Sequence, residues 1–250
     1  MAKYNIHAGH CPQGKGASGA AGYLKESVED RKVKGEVIRL LRAVGHTAYD
    51  CTCDKKTDQN GCLRYIVAKC NVHTVVRDVS IHLNSGGGTG VEVLVVSKDS
   101  KAYKEAARIS AKISGALGIR DRGVKIRPEL YVLRHTNAPA LLVECCFVDS
   151  KTDYNAWDYK KCARAIAEGL IGKKIEEKPA VKKAADKSFK VKTKQALNIY
   201  KSPGKDYTGR KALESVYTIT ETKTVEKMPY GKLKSSEGWI KIAGKYAERL

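Results

Sequence analysis

No run of apolar residues in this 250-residue chain is long enough to cross a membrane, and none near the N-terminus has the make-up of a secretory leader. The opening Met-Ala-Lys-Tyr-Asn-Ile-His reads instead as the start of a strand. The chain is therefore expected to be made and folded in the cytoplasm without a signal peptide. Glycine and proline, 22 and 6 residues, are too few for a low-complexity polymer, and 42% hydrophobic residues suffice for a real core. Cys51, Cys53, Cys62 and Cys70 cluster in sequence but lack the paired C-x-x-C spacing of a structural zinc knuckle. These four are expected to be buried free thiols, and the adjacent Cys145 and Cys146 to pack in an apolar strand.

Acidic side chains are the scarcer charge, 27 against 47 Lys and Arg, which leaves a net +20. That excess favours a polyanionic partner: nucleic acid, an anionic membrane surface or a teichoic-acid-bearing wall. A nucleic-acid reader would concentrate its charge on one element. Here basic residues outnumber acidic ones 27 to 18 in residues 1–172, 6 to 3 in 173–188 and 14 to 6 in 189–250. The even spread argues against nucleic acid.

The length suits two unequal domains. Segment 173–188, charged and poor in large apolar residues, reads as a linker. Before it, strand-like runs (4–8, 47–52, 79–83, 91–96, 130–133, 140–147) alternate with helical periodicities (23–44, 61–71, 100–117, 152–170). This pattern predicts a three-layer α/β domain over 1–172 with a largely parallel sheet. Gly118 is placed to end one helix, and Ser150 with Asp153 has the capping-box spacing to start the last. Residues 189–250 change to short alternating segments broken by Ser-Pro-Gly and Pro-Tyr-Gly, the pattern of a small β-barrel.

Four polar residues of the first domain sit where an α/β sheet presents its site, beyond strand ends or at a helix start: His10, Glu26, His82 and Glu144. His10 follows a strand and Gly9, which would let the backbone turn and aim the imidazole over the strand end. His7 lies inside the strand and is expected to pack or support. Glu26 lies seven residues before Val33 on the stripe Val33, Val37, Leu40, Val44, so its carboxylate faces the sheet and needs a partner cation. Glu29 and Asp30 are expected to answer the helix dipole instead. His82 closes a strand that empties into a glycine-rich loop. That loop has neither the G-x-x-x-x-G-K-[ST] nor the G-x-G-x-x-G pattern, and room for a bulky substrate is its simpler purpose. Two imidazoles and one carboxylate fill three positions of a catalytic zinc ion and leave one open. Glu144 ends the apolar run Ala-Leu-Leu-Val, where desolvation would raise its pKa into the range useful for moving protons.

The blocks Ala8-Gly-His10, the helix-opening Glu26, Ser80-Ile-His82-Leu-Asn, Gly90-Val-Glu92-Val and Pro139-Ala-Leu-Leu-Val-Glu144-Cys-Cys-Phe-Val-Asp resemble, in order, the amidase-3 type of N-acetylmuramoyl-L-alanine amidase found among bacterial autolysins and phage endolysins. The resemblance covers roughly residues 3–172. It implies Zn2+ on His10, Glu26 and His82, Glu144 as catalytic acid/base, and cleavage of peptidoglycan between N-acetylmuramic acid and L-alanine. Cys146, His7 and Asp149 depart from the usual glycine, Asp or Asn, and asparagine. Leu197-Asn-Ile-Tyr-Lys-Ser-Pro-Gly and Gly238-Trp-Ile-Lys-Ile resemble a bacterial SH3-like wall-binding module, in which Trp239 is expected to be barrel core. The layout favours a phage endolysin acting on the wall after release, with anionic wall polymers as a further partner of the basic C-terminal region. Two alternatives stand: a zinc peptidase cutting a stem-peptide bond, and a non-catalytic wall-binding protein.

Overall fold

The computed structural model describes residues 1–176 and 188–250, and the chain divides into two compact units, Met1–Glu176 and Glu177–Leu250. Most of the segment read as a linker lies outside the described residues. Its first residues belong to the first unit: Ile175 is buried, and its carbonyl accepts from Arg164 Nη1 at 2.9 Å. No helix among the described residues is long and apolar enough to cross a membrane.

The first unit runs β1 (Lys3–Ala8), α1 (Glu26–Ala43), β2 (Thr47–Asp50), α2 (Gln59–Asn71), β3 (Arg77–Asn84), β4 (Val91–Val95), α3 (Tyr103–Leu117), β5 (Asp121–Ile126), α4 (Tyr131–His135), β6 (Ala140–Phe147), α5 (Lys151–Ala156) and α6 (Tyr159–Ile171). Its sheet has the order β2-β1-β3-β6-β4-β5. The first four of these strands are mutually parallel and β4 pairs β5 in parallel, so the sheet is largely parallel as expected, with the single antiparallel pairing of β4 against β6 making it mixed. A parallel return needs a crossover of a dozen or more residues. Only the glycine loop separates β3 from β4, so the chain must reverse there.

The period-2 alternation of the strands sorts the sheet into two faces. Tyr4, Ile6, Val79, Ile81, Leu83, Val91, Val93, Leu141 and Val143 belong to one core, which they share with α1, α3 and α6. Leu94, Ala140 and Leu142 belong to a second core with Ile66 and Val67 of α2 and Val132 and Leu133 of α4. His7, His82, Glu92 and Glu144 fall on this second face by alternation. β3 and β6 pair His82 with Glu144, and β4 and β6 pair Glu92 with Glu144.

Three local expectations are corrected. Residues 130–133, read as a strand, enter α4, because a four-residue apolar run cannot distinguish a short strand from a helical turn. β5 escaped the sequence reading because it is an edge strand with no residue fully buried and little alternation. The closing helix breaks in two at Trp157, where Asp158 starts α6 by accepting from Lys160 N and Lys161 N. The two capping signals hold: Gly118 has φ +69° at the end of α3, and Ser150 Oγ accepts from Asp153 N at 3.1 Å.

The second unit comprises β7 (Phe189–Thr193), β8 (Leu197–Ser202), β9 (Lys205–Ala212), β10 (Val216–Val225), β11 (Met228–Leu233), β12 (Trp239–Lys241) and β13 (Ala247–Arg249). They form one sheet, ordered β13-β7-β10-β11-β12-β8-β9, with every pairing antiparallel. Val191, Leu197, Ile199, Ile219, Leu233 and Ile240 form its core. Trp239 is buried as expected, with Lys223 and Lys232 over its ring.

Candidate active site

The four residues singled out in sequence arrive from four places in the chain. His10 follows β1, Glu26 is the first residue of α1, and His82 and Glu144 are register partners on β3 and β6. His10 Nε2 lies 3.0 Å from Glu26 Oε1, His82 Nδ1 lies 3.1 Å from the same oxygen, and the two imidazole nitrogens are 3.1 Å apart. Three donor atoms at mutual distances of 3.0–3.1 Å nearly match the edge of a tetrahedron around zinc, about 3.3 Å for bonds of ~2.0 Å. Two imidazoles and a carboxylate are also the right chemistry for that ion, so the residues fit a divalent metal.

Backbone and side-chain contacts hold this triangle in place. Glu26 Oε1 accepts from Leu83 N at 3.1 Å and Oε2 from Ala20 N at 2.8 Å. The other nitrogen of His82, Nε2, is 3.0 Å from Ser80 Oγ, which is 3.4 Å from His7 Nδ1. This chain fixes the ring so that Nδ1 faces Glu26, the kind of outer support that metal-binding histidines need. His7 is therefore a buried support, as read from its place inside the strand. The chain bends at Gly9 as expected, without a left-handed backbone there. Gly9 also has a second purpose: a Cβ there would stand 1.9 Å from His82 Cε1, so only glycine admits the ring. Gly19, at φ +73°, does the same for Glu26.

Burial and charge set the ionisation. Burial opposes a charge on Glu26, but hydrogen bonds from His10 and His82 outweigh it and hold the carboxyl well below its usual range. Burial likewise opposes protonation of His10, and Glu26 overcomes it, so that pKa is raised; for His82 burial prevails and the pKa is lowered. Glu144 is pushed up to about 8, by burial first and then by Glu26 and Glu92. Its Oε2 has no hydrogen-bond partner among the described residues. Glu92 is tied down differently, with Asn84 Nδ2 at 3.1 Å and Arg122 Nε at 2.7 Å. Of the two carboxyls on this face, Glu144 is the one left free to move a proton.

Glu29 lies in the first turn of α1, where the helix dipole favours it as expected, but both it and Asp30 are buried. Glu29 is buried between Trp157 Nε1 and Lys32 Nζ, at 2.9 and 2.7 Å. Asp30 is fully buried, and although Arg31 Nη1 lies 3.5 Å away neither of its oxygens has a hydrogen-bond partner among the described residues. Burial raises its pKa to about 7. Leu63 of α2 with Leu130, Tyr131, Val132 and Leu142 lines an apolar cleft that opens onto His10 and His82. The sequence reading missed this wall because α4 had been taken for a strand. The glycine-rich loop is anchored: Asp149 accepts from Gly86 N and Gly87 N at 2.9 and 2.8 Å.

A mixed α/β sheet that gathers two imidazoles and a carboxylate at one point, with a raised-pKa carboxyl beside them, defines a hydrolase domain built around a candidate metal site. Residues 5–172 match the family model described as N-acetylmuramoyl-L-alanine amidase, and the chain belongs to that family of peptidoglycan amidases. It is 30% identical over 259 residues to an uncharacterized protein of Clostridium perfringens (strain 13 / Type A), covering 92% of this chain and 75% of that one. The endolysin of Bacillus phage SPP1 is 26% identical, with 96% of each chain covered. Among solved structures, the "catalytic domain of CD27L endolysin targeting Clostridia Difficile" superposes with a TM-score of 0.65 at 27% identity, covering 70% of this chain and 100% of that one.

Proposed function

We propose that this amidase is zinc-dependent, that His10, Glu26 and His82 hold the ion, and that Glu144 is the catalytic acid/base that cleaves the bond between N-acetylmuramic acid and L-alanine. The observation that carries the reading is the triangle of ligand atoms at 3.0–3.1 Å with a partnerless carboxyl oxygen one register pair away. When bound, zinc supplies a Lewis acid for the amide carbonyl and for water. The protein's own residues do the rest. Glu144 takes a proton from the attacking water and delivers it to the departing alanine nitrogen, a double duty suited to a carboxyl whose pKa stands near neutrality. Leu63, Leu130 and Val132 offer apolar contact beside the reacting bond.

We further propose that the protein works as an endolysin, which the match over 96% of both chains to a phage endolysin supports. Residues 189–250 would act as an SH3-like wall-binding module, a reading supported by the seven antiparallel strands and by a surplus of basic residues suited to anionic wall polymers. The test is the chemistry of release from purified peptidoglycan. Chelator-sensitive appearance of N-terminal alanine without new reducing ends is expected. A different amino terminus would make the enzyme a peptidase, and release insensitive to chelation would remove the metal from the mechanism.

A further inference from the structure

All eight cysteines are buried and free. They are not dispersed. Cys11, in the loop after β1, Cys53, in the loop after β2, and Cys62, in the first turn of α2, bring their Sγ atoms within 4.8 Å of one another. Their exposures are 0%, 0% and 2%, so the thiols meet inside the protein and not at its surface. Spacing along the chain could not show this grouping. Cys51 and Cys70, which fall in the same stretch of sequence, turn elsewhere, and Cys51 Sγ instead lies 3.9 Å from His73 Nδ1.

We propose that Cys11, Cys53 and Cys62 form a second metal site, taking a thiophilic d10 cation of the Zn2+ class and independent of the His10, Glu26 and His82 set. Three sulfurs at such mutual distances can surround one ion with bonds of about 2.3 Å. Thiolates prefer soft cations over magnesium or calcium. The loops are held in register by groups that need no metal. Arg31 Nη2 donates to the carbonyls of His10 and Cys53 at 2.9 and 3.0 Å, and Cys11 N donates to Ala17 O at 3.0 Å. A disulfide would use only two of the three sulfurs and strand the third. Because Cys11 follows His10 directly, an ion here would pin the segment that presents His10 to the catalytic ion, giving the site a structural purpose.

Metal content and cobalt spectroscopy of the full chain test the proposal. Reduced protein loaded with Zn2+ and freed of excess ion should hold about two ions per chain, and Cys53→Ala and Cys62→Ala about one each. His82→Ala should also hold about one. Co2+ loaded into His82→Ala should give the intense near-ultraviolet thiolate-to-cobalt charge-transfer bands that nitrogen and oxygen ligands do not produce. This reading needs no cysteine variant to fold and stands whether or not the catalytic assignment does. A cobalt spectrum without those bands would overturn the proposal. So would a wild-type content of about one ion that disappears in His82→Ala, or a mass two hydrogens light with two of the three cysteines joined in a disulfide.

Discussion

Glu144 and Asp30 are both carboxyls raised by burial and both feel Glu26, but only Glu144 lies on the cleft face of the sheet, in register with His82. Glu144→Gln keeps the size of the side chain and removes its proton chemistry. We expect unchanged zinc content and a loss of turnover of about 10²–10⁴-fold, as measured by alanine release. His82→Ala should lower bound zinc sharply, and an unchanged metal-to-protein ratio would take His82 out of the ligand set. Asp30 gives a pH prediction for the chelated protein. Its folded pKa of about 7 exceeds the ordinary 3.8, so between those values the folded state keeps a proton that the unfolded chain releases. Its burial is therefore tolerated in full below about pH 4, and stability is lost as pH rises through about 7. Asp30→Asn should flatten that fall in urea-unfolding midpoints, and parallel wild-type and variant curves would refute it.

At the scale of elements, the positions of the strand ends matter more than the strands themselves. Gly9→Ala would place a Cβ 1.9 Å from the His82 ring, so we expect zinc affinity to fall by about 10–100-fold with the fold retained, as read by competition with a chromogenic chelator. Asp153 ties three segments together. Its carboxylate accepts from Phe147 N and Gly90 N at 2.8 Å each and from Thr89 Oγ1 at 2.6 Å, and the residue is fully buried. Asp153→Ala should cost roughly 3 kcal/mol or more, because each abandoned buried donor costs ~1–3 kcal/mol. A midpoint of thermal unfolding within a degree or so of wild type would contradict this. The alternations at β1 and β3, the unbroken apolar run of β6 and the periodicities of α1 and α3 were legible in sequence, since each is a long continuous pattern. The short apolar turn of α4 and the polar edge strand β5 were not, since neither carries enough periodicity to declare its type.

At the scale of the whole chain, the two units have separate cores. A fragment ending at residue 176 is expected to fold, to keep the zinc content of the full chain and to cleave soluble muropeptide at an undiminished rate, while losing affinity for intact wall in pelleting assays. Equal pelleting by fragment and full chain would remove the wall-binding role from residues 189–250. What the sequence by itself determined is the set of candidate site residues and most of the elements that carry them, because a histidine after a strand and a glutamate on the buried stripe of a helix are local patterns. The reversal of β4, the close approach of Gly9 to His82, the burial of Asp30 and the meeting of Cys11 with Cys53 and Cys62 were decided only by the tertiary structure. Each depends on distances between segments far apart in the chain, and such distances are set by how whole faces pack.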